Sequence, residues 1–237
     1  MAAASPALLD RDQGARRLDG FVDAAFAFAV TLLVVAGSPP STLDELGAAL
    51  GRAPSVIASF AIICIFWLGY RDVGRLAPRR DALSTVLSLA IVLLVLIYVF
   101  PLRLMFESAF HLMSGRLLPG RDLATDVGDF RFLFTAYGAG FVLLSGAYAT
   151  LYGHHIRLGG DHGMSPVARE EARDWMVCWL IMVAVAVLSI LLALLAPAPV
   201  AVWAPGVIYL LIPILIALRH RLLALVSRRV PTAGTVT

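Results

Sequence analysis

Lysine is missing from this chain. All 19 basic residues are arginine, set against 16 acids, for a formal net charge of +3. So small an excess excludes the dense basic face that nucleic-acid binding needs. Cysteine is nearly absent too. Cys64 and Cys178 both fall inside apolar runs, where they read as small buried hydrophobes, and no Cys-x-x-Cys pair starts a thiol-redox or zinc-ribbon reading. The first 16 residues contain no apolar core of a cleaved signal peptide, so the first membrane segment is expected to target the chain itself. Catalytic signatures are lacking: there is no Gly-x-Ser-x-Gly elbow, no His-Glu-x-x-His and no Walker loop. Glu170-Glu171-Ala172-Arg173 approaches the Glu-Glu-x-x-x-Arg pattern of intramembrane prenyl-proteases, but its arginine comes two residues too early. Ser145-Gly146 has no histidine at membrane depth to activate it. No enzyme is expected. Thr-Val-Gly-Tyr-Gly is also absent, which excludes an ordinary potassium-channel filter, and no internal repeat is visible.

What is present is apolar sequence. Sixty per cent of the residues are hydrophobic and the mean hydropathy is +0.86. Six apolar segments stand out, roughly 21–37, 54–70, 84–105, 131–152, 175–196 and 202–218. Each can cross a hydrocarbon core of about 30 Å at about 1.5 Å per residue. Backbone polar groups in lipid must be paired within the segment, so the runs predict helices and an all-α membrane protein with six spans.

Arginine sets the expected orientation. With the N-terminus inside, only Arg52, Arg103, Arg116, Arg121 and Arg131 fall outside, against 14 inside. The bias places both termini in the cytoplasm of a cell with an inner membrane. The expected organisation is a cytoplasmic segment 1–16, a six-helix domain 17–222 and a disordered cytoplasmic tail 223–237. Gly37-Ser38-Pro39-Pro40 and Ala196-Pro197-Ala198-Pro199 punctuate the helix ends. Ser165 followed by Glu170-Glu171 marks a helix start, and Pro101 and Pro213 are expected to kink their helices or be covered by neighbours.

Two charged clusters invite functional readings and receive plain ones. His154, His155, Asp161 and His162 lack the spacing of a helical metal site and read as solvated loop residues. Arg71, Arg75 and Arg79 recur every four residues, but Pro78 interrupts them and acids flank them, so they read as positive-inside anchors rather than a voltage sensor. At membrane depth only weakly polar residues occur, such as Thr31, Ser145 and Ser189. Coupled transporters usually carry ionisable groups or broken helices there, which ranks a secondary transporter below a passive pore.

The stretch from Arg17 carries a motif. Arg17, Phe21-Val22-Asp23 and Thr31-Leu32-Leu33 resemble the first-helix pattern of the transmembrane protein 175 family: Arg, three residues, Phe-Ser-Asp, then an apolar helix with Thr-Leu-Leu. Phe66-Trp67, Asp81 at the start of the third segment and Phe100-Pro101 near its end resemble further family positions. The departures are Val22 for serine, Ala24 for glycine, Tyr70-Arg71 for a histidine pair and Ser88 for asparagine. The resemblance implies a homotetramer without a re-entrant pore loop, whose first helices line a central pathway for cations, potassium foremost. It implies no cofactor beyond the permeant ion, and no small-molecule or nucleic-acid partner. A non-conducting, scaffold-like member of the same fold is the alternative.

On a helix turning about 100° per residue, and with Phe28 at zero, Thr31 lies near −60°, Leu32 near +40° and Val35 near −20°. These four form one stripe, and the resemblance points that stripe at the pore. Apolar rings gate by dewetting, and hydroxyls replace part of an ion's hydration shell. Thr31 could equally bond back to the carbonyl one turn earlier. Asp23 lies about 140° from Phe28, facing neighbouring helices rather than the axis. It is expected to anchor the first helix, with Arg17 or the Trp67 indole as partner.

Overall fold

The computed structural model describes residues 6–35, 40–120 and 124–229, with side chains except at 6–12, 162 and 222–229. The punctuation at Gly37-Ser38-Pro39, Arg121 and the tail from residue 230 lie outside the described residues. The described chain is helical throughout: α1 Pro6–Val35, α2 Leu43–Gly51, α3 Ala53–Leu76, α4 Ala82–Met113, α5 Val127–Leu158, α6 Pro166–Leu195, α7 Ala198–Ala201, α8 Ala204–Val207 and α9 Leu211–Arg229. Short 3₁₀ turns cover Gly159–His162 and Ile208–Leu210. Among the described residues no strand occurs. Six stretches are long and apolar enough to cross a membrane: Gln13–Val35, Ala53–Leu76, Ala82–Met113, Val127–Asp161, Pro166–Leu195 and Ala204–Arg221. The protein is therefore an all-α, multi-pass membrane protein. Six spans, an even number, bring the end of α9 to the side on which α1 starts.

Most helices outrun the apolar segments that announced them. α1 begins at Pro6 and α9 continues to Arg229, past the expected boundary at 222. Capping shows where the ends are fixed. Asp81 accepts from the Ser84 backbone N–H at 2.9 Å, and Ser84 Oγ accepts in return from Asp81 N, a capping box that starts α4. Asp126 and Asp129 form the same box on α5, and Ser165 caps α6. Pro101 leaves α4 unbroken from Ala82 to Met113. Pro213 occupies the first turn of α9, where no backbone N–H is needed, so it starts that helix rather than kinking it. The last span is not the single helix expected over 202–218; it is assembled from α8, a 3₁₀ turn and α9.

The core is aromatic and unusually close-packed around two glycines. Trp179 of α6 stacks on Tyr148 of α5 with ring centroids 4.3 Å apart and on Phe66 of α3 at 5.6 Å. A methyl group on Gly69 would meet Trp179 Cζ2 at 2.3 Å, and one on Gly140 would meet Tyr98 Cδ2 at 2.6 Å, so only hydrogen fits at either place. The hydroxyls of Tyr148 and Tyr152 donate to the Phe66 and Gly69 carbonyls at 2.6 and 2.8 Å. They lock α5 against the middle of α3.

Candidate functional site

α1 packs on α3 and α4 through one face only. Val22, Phe26, Ala29 and Leu33, spaced by four, three and four, are buried in the core. The opposite face is bare: Phe21 is 53% exposed, Phe28 55% and Val35 66%, and Ala24 and Thr31 are exposed between them. The spacing 21, 24, 28, 31, 35 draws one seam along the helix. Three of the four residues expected to line a pore, Phe28, Thr31 and Val35, share it. Leu32 sits at its edge, half-buried and packed against the core. Phe21 and Ala24 extend the seam. Their 3–4 spacing from Phe28 is the signal that would have included them. The Thr31 hydroxyl donates to the Ala27 carbonyl at 3.0 Å, and its oxygen can still accept. Val22, in the motif's serine position, is fully buried on the opposite face, so that departure is a change of packing.

Three polar contacts hold α1. Near the termini, Asp19 Oδ1 accepts from Arg80 Nη2 at 3.1 Å, and the Tyr70 hydroxyl lies 3.3 Å from the same oxygen and 3.1 Å from Ser88 Oγ. One turn further on, the Trp67 indole donates to Asp23 Oδ1 at 2.9 Å. Arg17 is exposed and makes no ion pair among the described residues, so within one chain Asp23 is held by the indole and not by that arginine. The Arg71 guanidinium covers the Trp67 ring at 5.7 Å. At the far end, Arg103 Nη1 donates to the Leu33 carbonyl at 2.8 Å while its Nε pairs with Glu107 at 2.8 Å, both side chains nearly buried. A cation at a helix C-terminus meets both the free carbonyls and the negative end of the helix dipole.

His154 and His155 are not solvated loop residues. His154 and His155 close α5; His155 is buried, and His154 Nε2 lies 2.8 Å from Asp81 Oδ2. The side chain of His162 lies outside the described residues. Burial pushes the Asp81 carboxyl up, but the Ser84 backbone and hydroxyl hydrogen bonds and His154 outweigh it and hold it well below the ordinary carboxylate range. Among the described residues no group of histidine, cysteine and acid side chains could hold a metal ion.

Fold and site together define a multi-pass helical membrane protein whose first helix is anchored on one face and bare on the other. The family model for the endosomal/lysosomal potassium channel TMEM175 matches residues 17–101, from the arginine of the first-helix motif to the proline in α4. Over that first part the chain is similar to this family. A potassium channel of Marivirga tractuosa is 22% identical over 189 residues, covering 76% of this chain and 75% of that one. Among solved structures, a variant of the potassium channel MtTMEM175, crystallised with a nanobody fusion, superposes with a TM-score of 0.76 at 19% identity over 88% of this chain and 93% of that one. A lysosomal potassium-selective channel TMEM175 homolog from Chamaesiphon minutus gives 0.59 at 21% identity, over 87% and 98%. These relatives are described as channels, not enzymes.

Proposed function

We propose that the chain is a potassium-permeable cation channel, with a central pore lined by α1 from each of four copies. The carrying observation is the bare seam. A helix fastened by polar contacts at both ends, with an unpartnered face bearing a hydroxyl among apolar residues, suits a face that meets its symmetry mates around an axis. The relatives' description as potassium channels supports the ion. In this reading Phe28, Leu32 and Val35 form the apolar rings that gate by dewetting, and Thr31 supplies oxygens to the ion. The chain lies in the inner membrane with both termini cytoplasmic, as its arginines direct.

Potassium and sodium flux in liposomes tests this. Phe28→Ala is expected to raise flux by relieving a bulky ring, and Thr31→Ala to reduce the preference for potassium. Absence of flux from a verified tetramer, in wild type and both variants, favours the non-conducting scaffold instead. Assembly has its own test: Asp23→Ala removes the acceptor of the Trp67 indole, and size-exclusion with light scattering should show less tetramer. An intact tetramer from that variant would count against the anchor.

A further inference from the structure

We infer that Arg17 from each copy forms a ring of positive charge at the inner mouth of the pore and limits cation entry from that side. The inference rests on the pore reading above. The spacing that draws the bare seam does not stop at Phe21. Four residues earlier comes Arg17, and three before that Gly14, both exposed. The line 14, 17, 21, 24, 28, 31, 35 alternates steps of three and four without a break, the period at which a helix keeps one stripe toward its symmetry mates. α1 is continuous through it, from Pro6 to Val35. Contacts on the opposite face fix the helix's rotation at this level. Ala15 is buried, and Asp19 Oδ1 accepts from Arg80 Nη2 at 3.1 Å. Arg17 is two residues from each, so it lies about 160° round the helix from both.

The charge is uncompensated where it stands. The positions three and four residues away, Gln13, Gly14, Gly20 and Phe21, carry no acid. Gly14 and Gly20 have open space where a side chain would be, so the long arginine stem can swing toward an axis. Arg17 sits at the terminal-side end of the first span, Gln13–Val35, and a guanidinium stays charged at any physiological pH. Four of them around one axis lie close to a screening length of about 10 Å at 0.1 M salt, so their fields add. The summed potential depletes cations at that mouth. The other end of the seam is the apolar Val35, which does not. Current from the side of the termini is thereby the smaller one. Arg16, also exposed, is the internal control: it carries the same charge about 100° round the helix, off the seam.

Currents in inside-out patches, with equal KCl on both sides, test this. At about 0.1 M KCl the wild type should carry about threefold more current into the cell than out of it at equal and opposite voltages. Arg17→Gln should bring that ratio close to unity. Arg16→Gln removes the same charge off the seam and should leave the wild-type ratio. At about 1 M KCl, where the screening length falls to about 3 Å, the wild-type asymmetry should shrink. Placement has a readout that needs no current. With the wild type as background, oxidation should link Arg17→Cys between subunits and leave Arg16→Cys unlinked. Conduction by Arg17→Gln with the asymmetry unmoved, as pairing of Arg17 with a carboxylate of the next subunit would give, overturns the ring and leaves the pore standing. So does an equal effect at the two positions in either test. No current in any chain, wild type included, removes the pore and the ring with it.

Discussion

Arginines on the two sides of the membrane domain do different work. On the side of the termini they meet acids: Arg75 with Glu171, Arg80 with Asp19, Arg173 with Glu170 and Arg219 with Asp174. Arg80 there also donates to the Ala77 carbonyl that ends α3, at 2.6 Å; on the far side Arg103 keeps an acid, Glu107, but it and Arg131 both reach across to the end of another helix. Arg103 donates to the last turn of α1, and Arg131 donates to the Leu194 and Ala196 carbonyls at the end of α6, at 3.1 and 2.9 Å. Under the proposed orientation, arginines are abundant on the first side because topology favours positive charge there. On the far side Arg103 and Arg131 each close a particular helix end. Two of the five that depart from the positive-inside bias are thus structural caps.

That contrast can be broken in graded steps. Arg103→Ala should give the largest loss. It strands the nearly buried Glu107 and frees the Leu33 carbonyl, and removing one partner of a buried pair costs about 3–5 kcal/mol. A melt followed in detergent should show it; a midpoint like that of the wild type would remove Arg103 from the anchoring of α1. Arg131→Gln should cost less, about 1–3 kcal/mol, because two carbonyls lose a charged donor at a boundary that water reaches. Arg173→Gln should change stability by about 0.5 kcal/mol or less, since its pair with Glu170 is half-exposed or more on both partners. If Arg173→Gln matched Arg103→Ala, the proposed division of labour between the two sides would be wrong.

The six spans were legible because hydrocarbon demands apolar runs, and the resemblance at Arg17, Phe21-Val22-Asp23 and Thr31-Leu32-Leu33 begins where the family model begins. Helix ends were less legible. An apolar run reports the thickness of the lipid, whereas α5 carries His154, His155 and Arg157 to its last turn. This is why two histidines expected in solvent sit on a helix, one of them buried. The break in the last span had a signal, four prolines at 197, 199, 205 and 213, that a count of apolar residues passes over. α2 over Leu43–Gly51 is short and amphipathic, with no apolar run to reveal it. Tyr70 and Ser88 look like separate departures from the family pattern, yet their hydroxyls are 3.1 Å apart. Replacing one member of a buried polar contact changes what the other must be, and a single sequence gives no sign of that pairing.

The two tyrosine hydroxyls on the carbonyls of α3 have a mechanical meaning. With Tyr148 and Tyr152 bonded to Phe66 and Gly69, and Trp179 wedged against Gly69, α3 belongs to the same stiff block as α5 and α6. α1 rests on that block at the Trp67 indole. Under the proposed pore, a change of bore is then the swing of one lever, with the Asp23–Trp67 contact as fulcrum. The short arm is tethered at Asp19. The long arm carries Phe28 and Thr31 and ends at the Leu33 carbonyl, in the grip of Arg103.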